Sequence, residues 1–290
     1  MLVPIRRTAC HCRWVSVGTD GHGPSLDFPT EPMLCIPAAT AVHSLGYESS
    51  KIAERGGFMI DRKTLRLSAV LLVVGFIFYV VVGLLHAGGP ANNHPVVFGI
   101  YASSASWTAV HLGQFVGMAV IIAGLLVLYF ALDIRAGGAA WVARLGAVSA
   151  AVALGLYAVL QAVDGVALKQ VVDAWASAPE AEKAARFASA ETIRWLEWGT
   201  RSYQSFMFGL TLILLGSAVA LTAWLPRAIG YLMGLSGLGY IVQGWVLGSE
   251  GFSGTDTFAI LGGYVLILAW IIWLLVVAWR TKESSRAPTP

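Results

Sequence analysis

Side chains able to do chemistry are scarce in this sequence, and those that interrupt its apolar runs fall on shared helical faces. His111 and Gln114 stand three residues apart. Tyr157, Gln161 and Asp164 form one stripe, and Glu197, Arg201 and Gln204 form another. His86 ends one apolar run and Gln243 lies inside a further one. Residues three or four apart are neighbours on a helix, so Glu197 and Arg201 have the spacing of an acid-to-base pair. Ionisable and amide groups are costly in lipid and by default mark a site.

These residue types support a pocket for a small molecule or lipid, as in a transporter component, with a structural partner subunit of a membrane complex as an alternative. Arg201 would hold an anionic or polar group. His111, Gln114, Gln161 and Gln243 would supply hydrogen bonds, with Gln204 on the same stripe as Arg201. Asp164 and Glu197 would balance the charge. A second chemistry is general acid–base catalysis on a lipid or isoprenoid, with Asp164 or Glu197 as acid and His111 as base. A bland reading stands beside both: groups at the ends of spans can simply meet water and head groups, where a charge costs little.

Two histidines and a carboxylate can also bind a metal. His86 and His111, with Asp164 or Glu197, are the alternative here, but they share no short motif. A histidine near a membrane interface is more often hydrogen-bonded to a neighbour, so the expectation is no metal and no identified cofactor. His94, in the following loop, is expected to be solvated. There is no Gly-rich phosphate loop, no HExxH and no GxSxG nucleophile.

These groups must be positioned by elements built for lipid. Hydrophobic residues make up 57% of the chain and charged residues only 12%, against about a quarter in soluble domains. Too few charges are present to coat a globule, so lipid is an expected partner. The net charge of +3 gives no case for nucleic acid, and nothing indicates an oligomeric state. A helix needs about 20 apolar residues to cross the hydrocarbon core. Six runs meet this: 67–85, 109–132, 142–163, 206–224, 229–247 and 258–279. The expected fold is an all-α membrane protein, a bundle of six transmembrane helices with a helical outer loop between spans three and four. Ser177-Ala178-Pro179-Glu180 reads as a capping box opening a helix that no proline interrupts before Pro226. Trp107, Trp141, Trp224, Trp245 and Trp279 fall near span ends, where amphipathic rings settle. Trp195 and Trp198, flanking Glu197, read as interface anchors too, with an aromatic wall for a ligand as the alternative.

Orientation follows lysine and arginine placement. Arg62, Lys63, Arg66, Arg135, Arg144, Arg227, Arg280, Lys282 and Arg286 all fall on one side. The expectation is a bacterial inner membrane with both termini cytoplasmic, which puts nearly every intramembrane polar group in the outer half.

Residues 1–58 differ in kind. They hold Cys10, Cys12 and Cys35 and no periodic segment. The cluster Cys10-His11-Cys12 with His22, Cys35 and His43 matches no zinc spacing. Glu54-Arg55-Gly56-Gly57 can be encoded by a purine run resembling a bacterial ribosome-binding site, so Met59 is the expected start and 1–58 a translated leader or disordered extension. The membrane domain is expected over 59–282, with a disordered tail at 283–290.

The run His94 to Ala102, followed by Trp107-Thr108-Ala109-Val110-His111-Leu112-Gly113-Gln114-Phe115, resembles a stretch of bacterial, notably actinobacterial, six-span membrane proteins with no assigned activity. Glu191 to Trp198 and Leu225-Pro226-Arg227 look similar as well. The resemblance covers about residues 60–280. It implies the six-span architecture and that His111, Gln114 and Glu197 belong together; no catalytic role carries over.

Overall fold

A computed structural model of the chain describes residues 62–222 and 224–280. The expected leader with its Met59 start, its cysteines, and the tail at 283–290 lie outside the described residues. The helices are α1 (Arg62–Leu84), α2 (His94–Ser103), α3 (Trp107–Leu132), α4 (Gly137–Ala162), α5 (Lys169–Ala176), α6 (Glu180–Leu221), α7 (Arg227–Glu250) and α8 (Gly254–Arg280). A π-helical turn, Val163–Leu168, joins α4 to α5. Among the described residues there is no strand.

The long helices close into a ring. Helix α1 packs on α3, α3 on α4, α4 on α6, α6 on α7, α7 on α8, and α8 back on α1. Two hydrogen-bonded contacts fix which ends meet. Arg66 Nε donates to the Ala278 oxygen at 3.2 Å, joining the start of α1 to the end of α8. At the opposite end, Asn92 donates to the Glu250 oxygen at 2.9 Å and accepts from the Phe252 N–H at 3.0 Å. The arginines of the first end are therefore separated from the histidines and carboxylates of the second by the full length of the bundle.

Apolar residues face both ways. Leu72, Leu125, Phe208, Leu212 and Trp270 fill the interior, while Val74, Ile77, Phe130, Val148 and Val265 are exposed on the outside. An outward apolar surface of this kind suits lipid. Close approach between α6 and α7 depends on glycine: a Cβ on Gly216 would stand 2.6 Å from the Gly230 oxygen, the small-residue packing common between helices in membranes.

Five segments are long and apolar enough to cross a membrane: α1, α3, the run Gly137–Ala176, α6 and α8. Helix α7 has the length, at 24 residues, but its glycines with Ser236 and Gln243 dilute its apolar character. Helix α6 spans 42 residues without a break, about 63 Å at 1.5 Å per residue, roughly twice the hydrocarbon thickness. Its first half packs on α5, and a second apolar cluster of Val97, Phe98, Tyr101, Trp107, Leu168, Val172 and Ala190 gathers there. Lys169 ties α5 to α2 through the Ala102 oxygen at 2.9 Å. These pieces make a helical cap over one end of the ring.

Four local expectations change. The capping box does not form: Pro179 takes the N-cap position of α6, and Ser177 Oγ donates back to the Asp173 oxygen at 2.8 Å, closing α5 instead. His94 is buried, not solvated, because its segment folds into α2, where Nδ1 meets Glu191 Oε1 at 2.9 Å and the ring stacks on Phe98. Trp107 is 1% exposed and belongs to the cap core, not to a lipid interface. The fourth run stops at Leu221, short of the expected 224.

Candidate functional site

Asp164 sits in the π turn. A π turn carries one extra residue and shifts carbonyls off their usual N–H donors, and such turns gather at functional sites. Two side chains of α3 take up the shifted carbonyls. Trp107 donates its indole N–H to the Asp164 oxygen at 2.9 Å, and Thr108 Oγ1 donates to the Gly165 oxygen at 3.1 Å. Gly165 allows the approach, since a Cβ there would stand 2.5 Å from Cβ of His111.

His111 is thereby pressed against Asp164. Its Nδ1 lies 2.7 Å from the Trp107 oxygen; a carbonyl only accepts, so Nδ1 carries a proton. The other nitrogen, Nε2, is 3.0 Å from Asp164 Oδ2. His86, on the bend after α1, completes a triangle. Its ring centroid is 5.0 Å from that of His111 and 4.9 Å from the Trp107 ring. Burial lowers the His86 pKa to about 4; His111 and Arg201 push the same way and Asp164 opposes them. The imidazole is therefore neutral near pH 7.

About four turns into α6, Arg194 Nη1 donates to Glu197 Oε2, and both residues are almost fully buried. The Arg194 guanidinium also donates to the Ala91 oxygen at 3.3 Å and lies 4.7 Å from the Phe252 ring and 5.5 Å from that of Tyr101. Burial raises the Tyr101 phenol above its ordinary range, so it stays neutral beside that cation. The expected Glu197–Arg201 pair is thus replaced by Arg194–Glu197. Positions i−3 and i+4 both share a helix face with Glu197. The choice between them is made by neighbouring segments, which clamp Arg194 from the loop after α1 and from Phe252.

Arg201 is left over. Among the described residues it makes no hydrogen bond or ion pair, and its Nε is buried without a partner. Its electrostatic neighbours are Tyr79, Tyr157, Tyr264 and Asp256. Tyr157 donates to the Tyr79 hydroxyl at 3.3 Å, and Asp256, on α8, stays beyond ion-pair distance. Arg201 lines a cavity of about 440 Å³ with His86, Gln114, Asp164, Arg194 and Glu197.

The eight expected pocket residues therefore divide. Gln114, Asp164, Glu197 and Arg201 line this cavity, and His111 joins it through Asp164. Gln161 opens with His111 and Thr108 onto a separate recess of about 320 Å³ on the far side of His111. Gln204 and Gln243 are each 3% exposed and line neither space. A larger groove, about 740 Å³, runs between α6 and α7 beside Arg227 and holds none of these groups. Sequence reading passed over Arg194, Tyr101, Tyr264 and Gly165. Only Arg194 carried a local signal, its three-residue spacing from Glu197.

Comparison with protein-family models, with curated proteins and with solved structures gives no match to this chain.

Proposed function

We propose that the chain is a multi-pass protein of a bacterial cell membrane that binds a small molecule or lipid by an anionic group in the capped cavity. The observation that carries this reading is Arg201. Its guanidinium is half-buried at the cavity wall, with Nε fully buried and no counter-ion among the described residues; such a charge gains from a partner, and a bound carboxylate or phosphate supplies one in bidentate geometry. Gln114 and the tyrosine hydroxyls would take the ligand's remaining polar atoms. A transporter component is one role for such a site.

In this reading α7 is also a span, the fifth in order, and completes the set of six. It packs between α6 and α8, so its glycine-rich face meets protein where an apolar helix would meet lipid. The arginine-bearing end of the ring is cytoplasmic by the positive-inside rule, which places the cap and cavity outside and both ends of the membrane domain inside.

Native mass spectrometry of the protein in mild detergent tests the site. A reproducible anionic adduct on the wild type that is lost in Arg201→Gln and partly kept in Arg201→Lys supports the reading. An adduct unaffected by both removes Arg201 from it, and a wild type that carries none favours a purely structural subunit.

The contact between His111 and Asp164 favours one further reading, an enzyme acting on a lipid or isoprenoid with Asp164 as acid and His111 as base. Glu197 is less suited to that part because Arg194 already occupies its carboxylate. Asp164→Asn would then abolish turnover while leaving ligand binding in place.

A further inference from the structure

We propose that His86, His111 and Asp164 bind a divalent first-row transition-metal ion at the wall of the cavity. Each residue offers one ligand atom, and these atoms lie within 4.8 Å of one another. Ligand atoms around a tetrahedral ion stand about 3.4 Å apart, from bonds of about 2.0–2.1 Å. The His111 and Asp164 atoms are already at 3.0 Å. His86 needs to move about 1 Å to complete the set, and it sits on a bend, not in a helix.

The orphaned atoms favour a cation over a simple ion pair. Although Nε2 of His111 is close to Oδ2 of Asp164, the approach lacks hydrogen-bond geometry. Nε2 and Asp164 Oδ1 are both buried without a hydrogen-bond partner among the described residues. Buried polar atoms are rarely left this way, and a bound ion is one recognised reason. With Nδ1 committed as donor to the Trp107 carbonyl, the lone pair of His111 is on Nε2, where a metal takes it. A ligating histidine whose other ring nitrogen is held by a backbone carbonyl is the usual supporting arrangement at metal sites.

The backbone that carries the carboxylate is also held. Trp107 donates to the Asp164 carbonyl oxygen, and the π turn and Gly165 bring the residue onto His111. Two imidazoles and one carboxylate suit zinc, iron(II), copper(II) or cobalt(II) better than calcium or magnesium, which take oxygen ligands. Three protein ligands leave a coordination position open, and Asp164 and His86 both face the cavity that holds Arg201. The site stands on its own geometry and goes beyond the anion-binding reading.

Cobalt(II) titration of the chelator-stripped full chain in detergent, read by visible absorption, tests this. One ion per chain is expected, with ligand-field bands of a low-coordinate nitrogen–oxygen site, no thiolate charge-transfer band, and displacement by zinc. His86→Gln, His111→Gln and Asp164→Asn should each weaken binding at least about 100-fold, since even indirect supports of a ligand cost 10–100-fold. The triple variant Cys10→Ser, Cys12→Ser, Cys35→Ser should bind as the wild type does. A thiolate band that vanishes in the cysteine variant, binding untouched by all three ligand variants, or a helical wild type that takes up no cobalt would each overturn the proposal. The wild-type titration decides even where a variant fails to fold. Loss of metal binding with the anionic adduct retained would separate this site from the Arg201 reading.

Discussion

Arg194, not Arg201, neutralises Glu197, and this pairing leaves Arg201 as the cavity's unpaired cation among the described residues. The two arginines are seven residues apart on α6 and share a face, so the sequence offers either as the partner. Packing against Ala91, Tyr101 and Phe252 gives the acid to Arg194 and turns Arg201 toward the tyrosines below.

Removing one partner of that buried pair should be severe. Arg194→Gln leaves an uncompensated carboxylate at Glu197, a loss of about 3–5 kcal/mol, while Arg194→Met combined with Glu197→Leu should cost much less. Thermal unfolding in detergent, followed by circular dichroism, measures both. Equal destabilisation by the single and double variants would show that the pair is not coupled.

Gly165→Ala should both destabilise and damage the His111–Asp164 contact. The added Cβ meets Cβ of His111, which is backbone-anchored and cannot swing away, an overpacking cost of about 1–3 kcal/mol. Gly99→Ala, with nothing within 4 Å of the new atom, should be neutral or slightly stabilising, as alanine is the better helix former. A melting comparison of the two variants checks the contrast.

Trp107→Phe keeps most of the packing volume but removes the indole donor to the Asp164 carbonyl. The π turn then holds an unpaired buried acceptor, at a cost of about 1–3 kcal/mol. Hydrogen exchange of residues 163–168 should rise selectively. Unchanged protection there would show that the indole bond does not hold the turn.

Acid should weaken the metal-free protein through His86. Its folded pKa of about 4 lies below the ordinary 6.5, so between those values the unfolded chain binds the extra proton. Stability contributed by the neutral imidazole is complete above pH 6.5 and is lost as pH falls toward 4. Melting temperatures of the chelator-treated protein across that window should fall more steeply for the wild type than for His86→Gln. Parallel curves would remove His86 as the cause.

The sequence by itself determined that most of this chain is helix suited to lipid, because an apolar run of about 20 residues leaves the backbone no other way to satisfy its hydrogen bonds there. It also marked one end of the helices as polar and the other as basic, since both signals are local. Which polar groups meet was decided by tertiary structure alone. Gln161, Gln204 and Gln243 looked equivalent to Gln114, yet helix rotation sets them apart, and a few degrees of rotation leaves no trace in spacing. The partner of Glu197 was chosen by side chains from α2 and from the turn before α8, about a hundred and about fifty residues away. The π turn at Asp164 depends on carbonyl acceptors meeting Trp107 and Thr108 across a helix interface. Only the closed ring brings those atoms within reach.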